Sequence, residues 1–132
     1  MGRTDDSNNA PAATHAEPLV SGSISFDEDA PAFSGVTVYV RLEDVSYADA
    51  SSKVVAEQVM RDVSRRARSE EQLEFKIYGR ITDERASYSV RVHVDVDGDG
   101  EVSLHDYVTM QSYPVLTQGH PRKLSVRVHE VK

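Results

Sequence analysis

Val36-Thr37-Val38-Tyr39-Val40-Arg41-Leu42-Glu43 decides the fold class. Apolar and polar side chains alternate with a period of two, so the apolar set shares one face only if the chain is extended. In a helix the same residues would scatter to opposite sides. Toward the N-terminus, Asp27-Glu28-Asp29-Ala30-Pro31 reads as a turn. Before it, Val20, Gly22, Ile24 and Phe26 alternate with Ser21, Ser23 and Ser25 as another half-buried strand. Toward the C-terminus, Ala48-Asp49-Ala50-Ser51-Ser52 is a polar connection. The segment 53–62 fits two patterns. Val54, Val55, Val59 and Met60 suit a short helix, whereas Val55, Glu57 and Val59 suit a strand. The clustered β-branched residues favour the strand. Ser64 to Glu71 reads as a charged loop. Alternation then returns at Leu73, Phe75 and Ile77, at Tyr88, Val90, Val92 and Val94, and at Leu124, Val126 and Val128. Tyr107 to Tyr113 reads as a strand ending at Pro114.

About seven short strands with turn signals between them predict an all-β antiparallel β-sandwich, with a small β-barrel as the alternative. The domain is expected over residues 18–132. Residues 1–17 are rich in Asn, Ser, Ala, Pro and Asp and almost free of large apolar side chains, and so read as a disordered N-terminal tail.

Charge and composition narrow the function classes. The chain has 132 residues, 22 acidic against 15 basic side chains, and a formal net charge of −7. Nucleic-acid binding is not expected, because phosphates demand a concentrated basic surface. The absence of cysteine removes disulfides, thiolate metal ligands and a cysteine nucleophile. There is no apolar run long enough to be a transmembrane segment. The opening Met1-Gly2-Arg3-Thr4-Asp5-Asp6 reads neither as a secretory signal nor as a myristoylation site. The reading is of a soluble protein of the cytoplasm or the envelope.

The most specific local pattern is Asp95-Val96-Asp97-Gly98-Asp99-Gly100-Glu101-Val102-Ser103-Leu104-His105-Asp106. It has the spacing of a twelve-residue calcium loop. Asp95, Asp97 and Asp99 take positions one, three and five, and Gly100 takes the sharp turn at six. Glu101 would offer its carbonyl, Ser103 a bridging water, and Asp106 the closing carboxylate. Calcium takes six to eight hard oxygen ligands, which alternating carboxylates in a tight loop supply. Two features depart from the pattern. Position twelve is Asp rather than Glu, and the flanks read as strands rather than helices. The same residues also make a solvated hairpin loop, since Asp-Gly and Gly-Asp-Gly are turn sequences in their own right.

Other polar groups carry less. Of His15, His93, His105, His120 and His129, His93 and His129 fall on the polar faces of strands and read as exposed. Their pairing around a metal would require neighbouring strands. His105 reads as a surface neighbour of the acidic loop. Arg61, Arg65, Arg66 and Arg68 read as a basic run in a loop. The six tyrosines are expected to close the core or the sheet ends. No nucleophile-elbow sequence or phosphate-cradling glycine loop is present, and no enzymatic activity is expected.

Two runs carry a family resemblance. Val20-Ser21-Gly22-Ser23-Ile24-Ser25-Phe26 is followed by Val38-Tyr39-Val40-Arg41-Leu42-Glu43-Asp44-Val45-Ser46-Tyr47-Ala48-Asp49-Ala50. Later come Tyr113-Pro114-Val115-Leu116-Thr117 and Gly119. Together they resemble the YbaY/YscW-type domain of bacterial envelope lipoproteins and type III secretion pilotin-like chaperones, over roughly residues 18 to 131. The resemblance implies a compact β-sandwich or barrel and a chaperoning or adhesive role. Pilotins of this type bind an outer-membrane secretin subunit and carry a lipid anchor, whereas this sequence has no lipobox cysteine.

The functional expectation is therefore a non-enzymatic binding or accessory module of unknown partner, with calcium as the cofactor of the acidic loop. The alternative is a pilotin-like or chaperone-like domain that holds a protein partner without metal. A hydrolase ranks last, because no spacing positions a nucleophile or a base.

Overall fold

A computed structural model describes residues 17–47 and 51–132. The expected tail, apart from Glu17, lies outside the described residues, as do His15 and most of the 48–52 connection. Eight strands follow one another: β1 (Val20–Ser25), β2 (Phe33–Asp44), β3 (Lys53–Arg65), β4 (Leu73–Ile77), β5 (Tyr88–Asp95), β6 (Tyr107–Thr109), β7 (Pro114–Val115) and β8 (Lys123–Glu130). Among the described residues there is no helix. The ambiguous segment 53–62 is a strand.

The strands join in the order β3-β2-β5-β6-β8-β1-β4, with β7 on β5. The result is a single mixed sheet that curls until its two ends nearly meet, so the barrel alternative describes the molecule better than two separate sheets. All pairings are antiparallel except that of β1 with β8. β8 makes the corner, because Lys123–Arg127 pair with β1 while Val128–Glu130 pair with β6. At the parallel pair the backbones approach closely. A Cβ on Gly22 would fall 1.8 Å from the Leu124 carbonyl oxygen, so only glycine fits there. The seam between β3 and β4 is bridged by a side chain, the Lys76 amide donating to Gln58 Oε1 at 2.7 Å.

The inward residues named by the alternation form the core. Val38, Val40 and Leu42 of β2 register against Val94, Val92 and Val90 of β5, and all six are buried. Each such side chain contributes roughly 1.5–3 kcal/mol over its exposed state, which is what holds an extended chain in this curl. Tyr88 and Tyr107 are buried, as expected of residues that close a core, and desolvation raises both phenols above their ordinary pKa.

Three expectations need correction. β3 runs to Arg65, so Arg61 and Arg65 are not in a loop. Asp62 sits at a positive φ of 57° near an irregularity in the β2 pairing, and this re-aims the chain so that Arg65 turns inward. Its guanidinium is buried, donates to the carbonyls of Ala30, Arg66 and Ser69, and lies over the Phe26 ring. It staples two turns together. The strand predicted over Tyr107–Tyr113 stops at Thr109, because Ser89 Oγ takes the Tyr113 amide and draws the chain away toward β7. His93, read as exposed, is buried.

Candidate functional site

β5 carries a different cluster at each end. At its C-terminal end Asp95 closes the strand with its side chain buried, and the acidic loop follows. Asp95 Oδ1 accepts the Gly98 amide (3.1 Å) and Oδ2 the Gly100 amide (2.8 Å). Position one thus holds position six, and both glycines take positive φ. Asp97 accepts from the Asp99 amide and from Ser103 Oγ, the latter at 2.7 Å. The Ser103 hydroxyl, followed by the Asp99 amide, holds the Asp97 carboxyl below its ordinary pKa. Asp99 accepts the Glu101 amide.

Asp106 is fully buried and ties the loop to the barrel. Its Oδ1 accepts the Val96 amide (2.9 Å), and its Oδ2 accepts the Ser103 amide (3.1 Å) and lies 2.8 Å from His93 Nε2. His93 stacks on Tyr39, over which Arg41 lies in turn. The next turn is held from the C-terminus: the His105 amide donates to the Val131 carbonyl and the Val131 amide to that of Asp106.

Of the six residues read as metal ligands, the fold brings five together, four carboxylates and the Ser103 hydroxyl. Ligand atoms of Asp95, Asp97, Asp99 and Asp106 lie within 4.8 Å of one another. Glu101 is exposed, and Ser103 bridges Asp97 and Asp106. A calcium ion with ligands at about 2.3–2.6 Å can touch oxygens up to roughly 5 Å apart, so the spread fits one cation. An oxygen accepting one amide also keeps a second lone pair. The cluster is nevertheless already satisfied by its own donors. His93 joins Asp95 and Asp106 in a second, fully buried group. Sequence reasoning placed His93 on a polar face but missed its role. The signal was its position two residues before Asp95, which puts both side chains on the same side of the strand. His93 and His129 do not share a metal, because β6 separates their strands and His129 instead meets Asp27 at 3.1 Å. His105 is a surface side chain, as read, 2.7 Å from Glu130.

At the N-terminal end of β5 a second set converges. Buried Glu43 accepts from Arg91 Nε (3.0 Å) and Ser52 Oγ (2.8 Å). The Val45 amide donates to the Ser87 carbonyl, and the Ser87 amide to Ser46 Oγ. Thr117 Oγ1 donates to the Ala86 carbonyl at 2.6 Å, and β7 pairs Val115 with Tyr88. The end of β2 and the segment 113–117 are thus fastened to the same three residues, Ala86 to Tyr88. Around them Val45, Tyr47, Val54, Val55, Tyr78 and Met110 stand exposed.

A family model described as "Type III secretion system lipoprotein chaperone (YscW)" matches residues 15–128. The chain belongs to the YscW family. Of the stretches that carried the resemblance, Leu42–Asp44 and Pro114–Val115 pair with this end of β5. A solved structure described as an alternative pilotin from the type II secretion system of Vibrio cholerae is similar to this YscW-family chain at 25% identity. It has a TM-score of 0.65 and covers 86% of this chain and 96% of that one. Comparison with curated protein sequences gives no match. The resemblance read from the sequence therefore stands, and the YscW-family chain shares its fold with a pilotin. Among the described residues no helix is long and apolar enough to cross a membrane.

Proposed function

We propose that this protein is a non-enzymatic chaperone of the bacterial envelope that holds a segment of a secretion-system protein, in the manner of a pilotin. Membership of the YscW family over residues 15–128 carries the reading, and the likeness to a type II pilotin supports it. The exposed apolar side chains at the Tyr88 end of β5 agree with it, since surface of that kind is stabilised by association. The partner expected from the family resemblance is an outer-membrane secretin. The test is co-purification of the tagged domain with each outer-membrane component of the secretion systems in the same genome, together with the abundance of those components after deletion. A stoichiometric complex with one component, whose level falls in the deletion strain, is the expected result. No complex and unchanged levels would refute the reading.

A second reading, calcium capture by residues 95–106, is favoured by the convergence of four carboxylates within reach of one cation. Asp95, Asp97, Asp99 and Asp106 would supply side-chain oxygens, Glu101 its carbonyl and Ser103 a bridged water. Calcium titration of EDTA-stripped protein, followed by amide NMR with magnesium as control, decides it. Saturable shifts confined to 95–106 and lost in Asp97→Ala support the site. No shifts at millimolar calcium remove it.

A further inference from the structure

We infer that the barrel opens along the seam between β3 and β4, hinged at the Arg65 staple and latched by Gln58, with its mouth at the Tyr88 end. This goes beyond the chaperone reading and does not rest on it. Every neighbouring pair on the path from β3 round to β4 shares backbone hydrogen bonds, but the two strands that end the path share none. The Lys76 amide donates to Gln58 Oε1 at 2.7 Å, and among the described residues no other hydrogen bond or ion pair joins 53–65 to 73–82. Gln58 registers against the inward-facing Val40, so a polar side chain leaves an apolar row to make this one bond. The other side of β3 is held to β2 by a whole ladder. Since each hydrogen bond is modest in net worth, the seam is the weakest junction in the sheet.

The two ends of the seam differ, and the difference sets the hinge and the mouth. Toward the Asp95 end, β3 and β4 are joined by their own connection, residues 66–72. The buried Arg65 guanidinium fixes that turn through the carbonyls of Arg66 and Ser69. Toward the Tyr88 end, β4 stops at Ile77 while β3 reaches back to Lys53, and a cleft of about 450 Å³ lies between β3 and residues 80–83. Gly79 meets Ala56 there by packing alone, a Cβ on the glycine falling 3.3 Å from that of the alanine. The core is also incompletely covered along this line. Ala56, Met60, Val63 and Leu73 are only half-buried, whereas Val38, Val40 and Leu42 on the next strand are fully buried. Irregularities in the pairing of β3 with β2 bend the strand and loosen its hold. Local opening is drawn from regions with few buried contacts and few hydrogen bonds, and this seam is poor in both.

Thiol labelling of the native full chain tests this, because the sequence has no cysteine of its own. One reporter is Val40→Cys, buried beside β3 and in register with Gln58; the control is Val128→Cys, equally buried on β8. With Ellman's reagent the thiol at 40 should react at least roughly tenfold faster than the thiol at 128. Its rate should also depend less on urea, since an opening exposes less surface than unfolding. Adding Gln58→Ala should speed labelling at 40 about fivefold and leave 128 unchanged. Gln58→Glu keeps an acceptor for the Lys76 amide and should label as wild type. Equal rates with equal urea dependence would mean that both thiols wait for global unfolding, and would overturn the seam. Acceleration of both thiols by Gln58→Ala, or of neither, overturns the latch. Amide exchange in the cysteine-free chain is the second measurement, free of any effect of the reporters on folding. In Gln58→Ala, exchange across 53–60 should quicken while β6 and β8 stay as in wild type, and uniform quickening counts against the inference.

Discussion

At the Asp95 end of β5, four carboxylates accept from amides and hydroxyls of their own loop, and Asp106 also meets His93. At the Tyr88 end, the polar groups fasten one strand to the next, and six large apolar side chains are left in water. The first end takes its shape from a self-contained carboxylate network, with Val96, Val102 and Leu104 exposed on the loop. The second is held by contacts between strands, and it too leaves apolar side chains in water. A cation entering the acidic loop would use the lone pairs that these oxygens keep beside their hydrogen bonds.

The largest test of this contrast is Asp106→Ala. The substitution strands the Val96 and Ser103 amides and the buried ring of His93. Unsatisfied buried groups cost about 1–3 kcal/mol each, so a loss of roughly 3 kcal/mol or more is expected in urea unfolding. A loss under about 0.5 kcal/mol, the level of an ordinary surface substitution, would show that the loop is not held as described. Glu43→Ala at the opposite end removes a buried carboxylate with a smaller effect. Its partner Arg91 is largely exposed and can return to water. About 1–2 kcal/mol is expected, and a double-mutant cycle with Arg91→Ala should show coupling near the lower end of that range. Equal losses from the two substitutions would erase the difference between the ends.

The sequence made the all-β strands legible because burial on one face imposes period two, and the inward placing of Val38, Val40 and Leu42 follows from it. The acidic loop was legible because Asp-Gly and Gly-Asp-Gly are turn sequences in their own right. Three features were not. Whether strands make a sandwich or a nearly closed barrel depends on which strands pair, and β1 with β8 joins residues about a hundred positions apart. The burial of His93 depends on Asp106, thirteen residues away. Arg65 reads as surface charge until the positive φ at Asp62 turns the chain inward. Each rests on a contact between segments whose local patterns do not announce one another.

Tyr88→Phe sharpens the account of the Tyr88 end alone. The ring stays in the core, and only its hydroxyl, which donates to the Asp83 carbonyl at 3.0 Å, is lost. About 1 kcal/mol is expected. Because Asp83 anchors the turn that its side chain and carbonyl close onto Arg85 and Ala86, amide exchange across 80–85 should quicken while 95–106 stays unchanged. Quickening in both regions would mean that the two ends are not independent.

The smallest effect is expected with acid, and it compares the ends directly. Asp97 is held below its ordinary pKa chiefly by the Ser103 hydroxyl, and Asp44 below its own chiefly by the Ser46 hydroxyl. A carboxyl whose folded pKa is lowered contributes stability above its unfolded value, near 3.9, and loses it as pH falls through the folded one. Both acids are therefore silent at neutral pH and weaken below about pH 4. Their consequences differ. Ser103 also donates its amide to Asp106, so protonating Asp97 frees a residue on which the buried anchor depends. Ser46 reaches only the Ser87 amide, and the change at Asp44 stays in one turn. Amide NMR between pH 5 and pH 3 should show shifts spreading from Asp97 across 95–106, but confined to 44–46 and Ser87 at the other end. In Ser103→Ala the spread should vanish while the Asp44 transition persists. An unchanged spread would place the acid response in some group other than Asp97.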